Sequence, residues 1–186
     1  LANHLNELFH PLEFPPELAS RVLTHLSHRD AVHGHNARLA FLGRRAAESC
    51  LLLWLHSLPP ELAEKYDYSR TTSRMLNTYV LGEHVAPRWG VTTIMRWSSN
   101  VAEMKEGDVP QGDAIGTGLF KVAGTAVEAV LGGIWHQFGG SVAHRVFHTR
   151  LFPYILLPGT PAGLPDTLLD RAQDSIEKMG GLKGKL

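Results

Sequence analysis

The chain has 186 residues, 44% of them apolar and 19% charged, with 18 basic and 18 acidic side chains and a formal net charge of zero. That length suits one domain, enough to bury about 70% of the surface of the unfolded chain, and the composition places the chain among globular proteins and not disordered ones. Zero net charge excludes whole-molecule attraction to nucleic acid, so any RNA contact has to come from a local basic patch.

No apolar run reaches the roughly 18 residues that a membrane span requires. Cys50 is the only cysteine, which leaves no disulfide framework and no thiolate zinc site, and a reducing compartment is compatible with it. The first residue is Leu1 and not methionine, as a removed targeting segment or a start further upstream would give.

Residues 3–9 read as a short helix ended by Pro11. Pro15-Pro16 then holds the chain extended, because proline suits only the first turn of a helix. From Glu17 to about His25, Leu18, Val22, Leu23 and Leu26 mark one helical face. Residues 29–35 are polar and contain a glycine, so they read as a loop. His25, His28, His33 and His35 fall in or beside it. Their spacing matches none of the usual zinc ligand patterns, and they are expected to be ordinary polar histidines.

The longest helix is expected from about Ala37 to Leu55, with Asn36 as its N-cap and Leu39, Leu42, Ala46 and Leu53 toward the core. It becomes apolar nearly all round between Cys50 and Leu55, which argues for burial on several sides. Leu58-Pro59-Pro60 stops it, and a short helix follows over 61–65. The stretch from Arg70 to Trp89 carries Leu76, Val80 and Val85 at near-helical spacing, interrupted toward its end by Gly82 and Pro87. Residues 91–99, with Ile94, Met95 and Trp97, read as an extended or irregular connection, and 103–116 as a surface loop.

A second long helix is expected from Leu119 to Phe138, before Gly139-Gly140. Gly124, Gly132 and Gly133 lie inside it, each costing about 1 kcal/mol against alanine, which close backbone packing against another helix would explain. Gly116-x-Gly118 is no phosphate loop, since neither GxGxxG nor a Walker ending follows. Residues 141–156 look helical with Ser141 as a cap. Residues 157–165 are a Pro/Gly linker, and 166–179 an amphipathic helix with Leu168, Leu169, Ala172 and Ile176 on one side. The expectation is an all-α domain over 1–157, followed by a linker and C-terminal helix or tail over 158–186. That remainder is shorter than the about 40 residues below which a domain rarely stands alone.

The run His35-Asn36-Ala37-Arg38-Leu39-Ala40-Phe41-Leu42-Gly43-Arg44 closely resembles the signature of the ribonuclease III family, a His-Asn-Glu-Arg-Leu-Glu-Phe-Leu-Gly-Asp run. Val22 to His28 resembles the Ala-Leu-Thr-His-like segment that precedes it. Ala126 to Trp135 resembles the second family motif, and the resemblance covers roughly Pro15 to Arg150. It implies the helical endonuclease fold of that family, in which four carboxylates, two from each motif helix, hold magnesium. A hard cation needs oxygen ligands, and once held it activates water and stabilises charge on phosphate.

Carried over residue by residue, those four positions are Ala40, Arg44, Thr125 and Glu128, and only Glu128 keeps a carboxylate. A guanidinium about 5 Å from a divalent ion would oppose it by roughly 6 to 7 kcal/mol at an effective dielectric of 20. No catalytic residue, metal or cofactor is therefore expected. Instead Arg44 is expected to occupy the vacated position and pair with Glu128, with Glu48 and Lys121 as competitors for the two partners.

In the family the aromatic of the signature enters a pocket on a partner chain. Phe41 matches it, and either anchors such an interface or fills its own core. Arg145, Arg150, Lys183 and Lys185 are the candidate RNA contacts.

A short ribonuclease III-like domain without the carboxylates, and with no room after Leu157 for a double-stranded-RNA-binding domain, is most similar to the ribonuclease III-like proteins of the mitochondrial large ribosomal subunit, in particular the shorter fungal type. That resemblance implies a non-catalytic ribosomal component in the mitochondrial matrix. Its partners would be ribosomal RNA, other ribosomal proteins and a second ribonuclease III-like protein, more readily a different chain than a copy. The alternatives are an active small double-stranded-RNA endonuclease and a non-ribosomal protein-interaction module.

Overall fold

The computed structural model describes residues 1–99, 118–182, 184 and 186. The expected 103–116 loop, Lys183 and Lys185 lie outside the described residues. Among the described residues the chain is helical: α1 (Ala2–Leu8), α2 (Pro16–Val22), α3 (Ala37–His56), α4 (Pro60–Ala63), α5 (Tyr68–Met75), α6 (Thr78–Val80), α7 (Val91–Ile94), α8 (Leu119–Phe138), α9 (Gly140–Val146), α10 (Phe152–Ile155) and α11 (Leu169–Lys178). One continuous apolar core runs from Leu5 through Val22, Leu51 and Leu131 to Ile176.

The core is organised on α3 and α8, each 20 residues long, which touch more extensively than any other pair of elements. What lets them approach is a stripe of small side chains. Ala40, Gly43, Ala46, Ala47 and Cys50 are the buried positions of α3 as far as Cys50. A Cβ built on Gly43 would stand 1.8 Å from the carbonyl oxygen of Glu128, and one on Gly132 would stand 1.9 Å from that of Leu39. Gly124 faces the Thr78 carbonyl in the same way, at 1.8 Å. The cost of these glycines in a helix interior is offset by backbone-to-backbone packing that alanine would prevent.

This crossing displaces the core face from the one read off the leucines. Ala46 is buried, but Leu39 and Leu42 are only half-buried and Leu53 is 61% exposed. Hydrophobicity ranks leucine above alanine and glycine, whereas the crossing selects the smallest side chains.

Asn36 is the N-cap residue of α3, its carbonyl accepting from the Ala40 N–H at 2.8 Å, but its side chain makes no capping hydrogen bond. It is buried, and its Nδ2 donates to the Val22 carbonyl at 3.4 Å. The Ala37 N–H is taken by His35 Nδ1, at 3.4 Å.

Other departures also have local causes. The helix expected over 17–25 ends at Val22 because Leu23 to His25 pair instead with Arg96. The Arg96 N–H donates to the Leu23 carbonyl at 2.7 Å, and the His25 N–H to the Arg96 carbonyl at 2.8 Å. Residues 91–99 therefore form one helical turn, α7, before this short extended pairing.

The stretch 70–89 is two helices and not one. Asp67 caps α5 by accepting from the Arg70 N–H at 2.9 Å, and Asn77 caps α6 by accepting from the Tyr79 N–H at 2.9 Å. After α6 the helix continues as a wider turn over Leu81–Val85. α9 begins at Gly140, following Gly139 at φ 92°, so Ser141 is inside the helix and makes no cap. A second wide turn, Phe147–Leu151, joins α9 to α10, where Pro153 occupies the first helical turn.

The described part of the 158–186 segment is docked against the rest. Leu164, Leu168, Ala172 and Ile176 are buried in the common core, which matches the amphipathic spacing of α11.

Candidate functional site

One residue beyond Gly43, at the point where α3 and α8 come closest, Arg44 reaches Glu128. Its Nε donates to Glu128 Oε1 at 3.1 Å and its Nη2 to Oε2 at 2.9 Å, a two-point grip. Thr78 on α6 completes the group: its hydroxyl donates to Oε1 at 3.0 Å and accepts from Arg44 Nη2 at 3.3 Å. The Glu128 side chain is 1% exposed and that of Arg44 48%. A carboxylate so far from water needs a cation and hydrogen-bond donors, and the planar guanidinium fork supplies both. The reverse effect is that the hydrogen bonds to Glu128, ahead of its charge and that of Glu48, hold the Arg44 pKa above its usual value against the opposing effect of burial.

Neither expected competitor displaces this pair. Glu48 is bound by Arg45, at 2.7 Å. Lys121 lends its backbone carbonyl to the Thr125 hydroxyl, at 2.9 Å. Ala40 is buried under the crossing.

The four positions that the signature resemblance assigns to magnesium thus offer one carboxylate, already held by an arginine, one hydroxyl donating into its own helix, and a methyl group. Such a donor set does not fit a hard divalent cation. Among the described residues no group of three or more His, Cys, Asp or Glu side chains could hold a metal ion.

Thr78 was not visible in the sequence reading. It belongs to neither motif, and only the packing of Gly124 against its carbonyl brings it to Glu128.

Phe41 is 67% exposed, which rules out the alternative that it fills its own core. It stands on the outer face of α3 with the Arg45 guanidinium 5.8 Å from its ring centre.

The two described candidates for RNA contact differ. Arg145 is exposed. Arg150 is committed within the chain: its guanidinium donates to the carbonyls of Gly181 at 3.4 Å and Gly184 at 3.0 Å, and to that of Leu182. Its expected role as a free surface cation is corrected accordingly, because α11 and the described residues after it return against the Phe147–Leu151 turn and α10. The loop histidines are engaged locally, His25 Nδ1 with the Ser27 hydroxyl at 2.9 Å and His28 Nδ1 with the Asp30 N–H at 3.2 Å.

An all-helical domain built on two crossing motif helices is the class that these features define. The family model described as Ribonuclease-III-like matches residues 15–155, well over half of the chain. The chain belongs to the ribonuclease-III-like family. Among solved structures, the nuclease domain of ribonuclease III from Campylobacter jejuni is similar to it, with 20% identity and a TM-score of 0.63 over 85% of this chain and 97% of that one. At that identity the likeness shows the fold. No curated protein matches the chain. Among the described residues no helix is long and apolar enough to cross a membrane.

Proposed function

We propose that this chain is a non-catalytic member of its family: a structural component of the mitochondrial large ribosomal subunit that binds ribosomal RNA and pairs with a second ribonuclease III-like protein. The observation that carries the reading is Arg44, which stands at a position where the family signature has a carboxylate and spends its guanidinium on Glu128. A cation fixed there serves the fold and opposes a metal. The ribosomal assignment is supported by the resemblance to the shorter mitochondrial proteins of this type. The pairing is supported by Phe41, an exposed aromatic at the signature position that serves as an interface anchor in the family. Exposed aromatics in such a place are the residues that most often dominate an interface.

Sedimentation of the native protein from a mitochondrial lysate tests the assignment. The expected result is migration with the large subunit, together with a second ribonuclease III-like chain. Migration as a free protein or in a particle without ribosomal RNA would favour the protein-interaction module instead.

A further inference from the structure

Beside the Arg44–Glu128 pair a cavity of about 240 Å³ opens between α3 and the α5–α6 turn, lined among others by Arg44, Arg45, Glu48, Thr72, Ser73 and Asn77. We propose that this cavity binds a backbone phosphate of the RNA, held by arginine and hydroxyl donors in place of a metal. The proposal rests on the RNA-binding reading above and names the site through which that binding acts.

The donors are already oriented. Arg44 grips Glu128 through Nε and Nη2, and among the described residues its Nη1 has no partner, so one edge of a locked guanidinium is left over. A planar fork with a free edge is suited to phosphate oxygens. Asn77 turns its Oδ1 to the Tyr79 N–H, which leaves its amide nitrogen as a donor. Arg45 carries the second positive charge of the cavity, and Glu48, its partner at 2.7 Å, carries the opposing negative one.

An independent observation points to a ligand. The Thr72 hydroxyl is buried and among the described residues has no hydrogen-bond partner, on a residue only 4% exposed that lines the cavity. A buried hydroxyl without a partner costs stability, and a χ1 rotation that turns it toward a ligand oxygen in the cavity would remove that cost.

The competition between Glu48 and an incoming anion for Arg45 gives the test its sign. The full chain is titrated with a short RNA duplex and, separately, with inorganic phosphate, as wild type and as Arg45→Gln, Glu48→Gln and Thr72→Val. Arg45→Gln is expected to weaken duplex binding about tenfold, the equivalent of one charge-assisted hydrogen bond, and to reduce the salt slope by about one. Glu48→Gln is expected to tighten it. Thr72→Val is expected to weaken it with the melting temperature unchanged or raised, since the substitution removes an unpartnered group, so a loss of binding there cannot be a loss of fold. Wild-type duplex binding that none of the three variants alters would overturn the site and leave the RNA-binding reading standing. No duplex binding by the wild type would overturn both. Thr72-dependent binding of inorganic phosphate without duplex binding would overturn the assignment to RNA in favour of a small phosphate ligand.

Discussion

The buried Glu128 carboxylate is held by two side chains from other elements, and removing either leaves it short of a partner. Arg44→Ala is expected to cost about 3 kcal/mol, the lower end of what breaking a buried pair from one side costs, because the guanidinium is half-exposed while the carboxylate is not. A denaturant midpoint unchanged in Arg44→Ala would contradict the pair's structural role. A second residue ties stability to pH. His148 is 2% exposed, its Nδ1 has no partner among the described residues, and burial first, then the neighbouring His144, push its pKa down to about 4 from the usual 6.5. The unfolded chain takes up a proton near pH 6.5 that the folded chain refuses until about pH 4. This contribution is therefore complete above pH 6.5 and is lost as the pH falls through that window, by at most about 1.4 kcal/mol per pH unit. Melting temperatures recorded from neutral pH downward should fall accordingly. Replacing His148 with phenylalanine should flatten the fall.

At the level of elements the decisive contact is the crossing of α3 and α8. Gly43→Ala and Gly132→Ala each place a methyl against a carbonyl oxygen of the other helix, at 1.8 and 1.9 Å. No rotamer change relieves a clash with backbone, so each should cost about 3 kcal/mol or more, at or above the usual range for overpacking, and calorimetry of the variants checks it. The limits of α8 were legible because its apolar run ends at Gly139-Gly140. The buried face of α3 was not, since a crossing that selects glycine and alanine leaves Leu53 to solvent. The break at Asn77 was hidden inside a stretch whose apolar spacing reads as one helix, and the Leu23–Arg96 pairing joins residues too far apart in sequence for any periodicity to announce. Of the site, Arg44 and Glu128 could be matched because each lies in a recognisable motif, whereas Thr78 comes from a third element. The outer face of α3 carries its own prediction. Phe41→Ala should leave the stability of the chain within about 0.5 kcal/mol, as for an exposed position, and weaken association with its partner by about 2 kcal/mol or more. Analytical ultracentrifugation with the partner separates this from a folding effect.

For the whole molecule, the fold is that of a nuclease domain, and at its centre Arg44 and Thr78 hold the Glu128 carboxylate between the helices. The C-terminal segment reinforces the same end, with Leu168, Ala172 and Ile176 in the common core and Arg150 fastening the carbonyls beyond α11. Zero net charge over 186 residues means that RNA affinity should be local and electrostatic, so it should weaken as salt rises. The most direct measurement is incubation of the purified chain with a long RNA duplex and magnesium, beside a Glu128→Ala control. No specific cleavage by the wild type is expected at any magnesium concentration. Magnesium-dependent cleavage that exceeds the Glu128→Ala control would contradict that expectation, because Glu128 would then be serving a metal while Arg44 is bound to it.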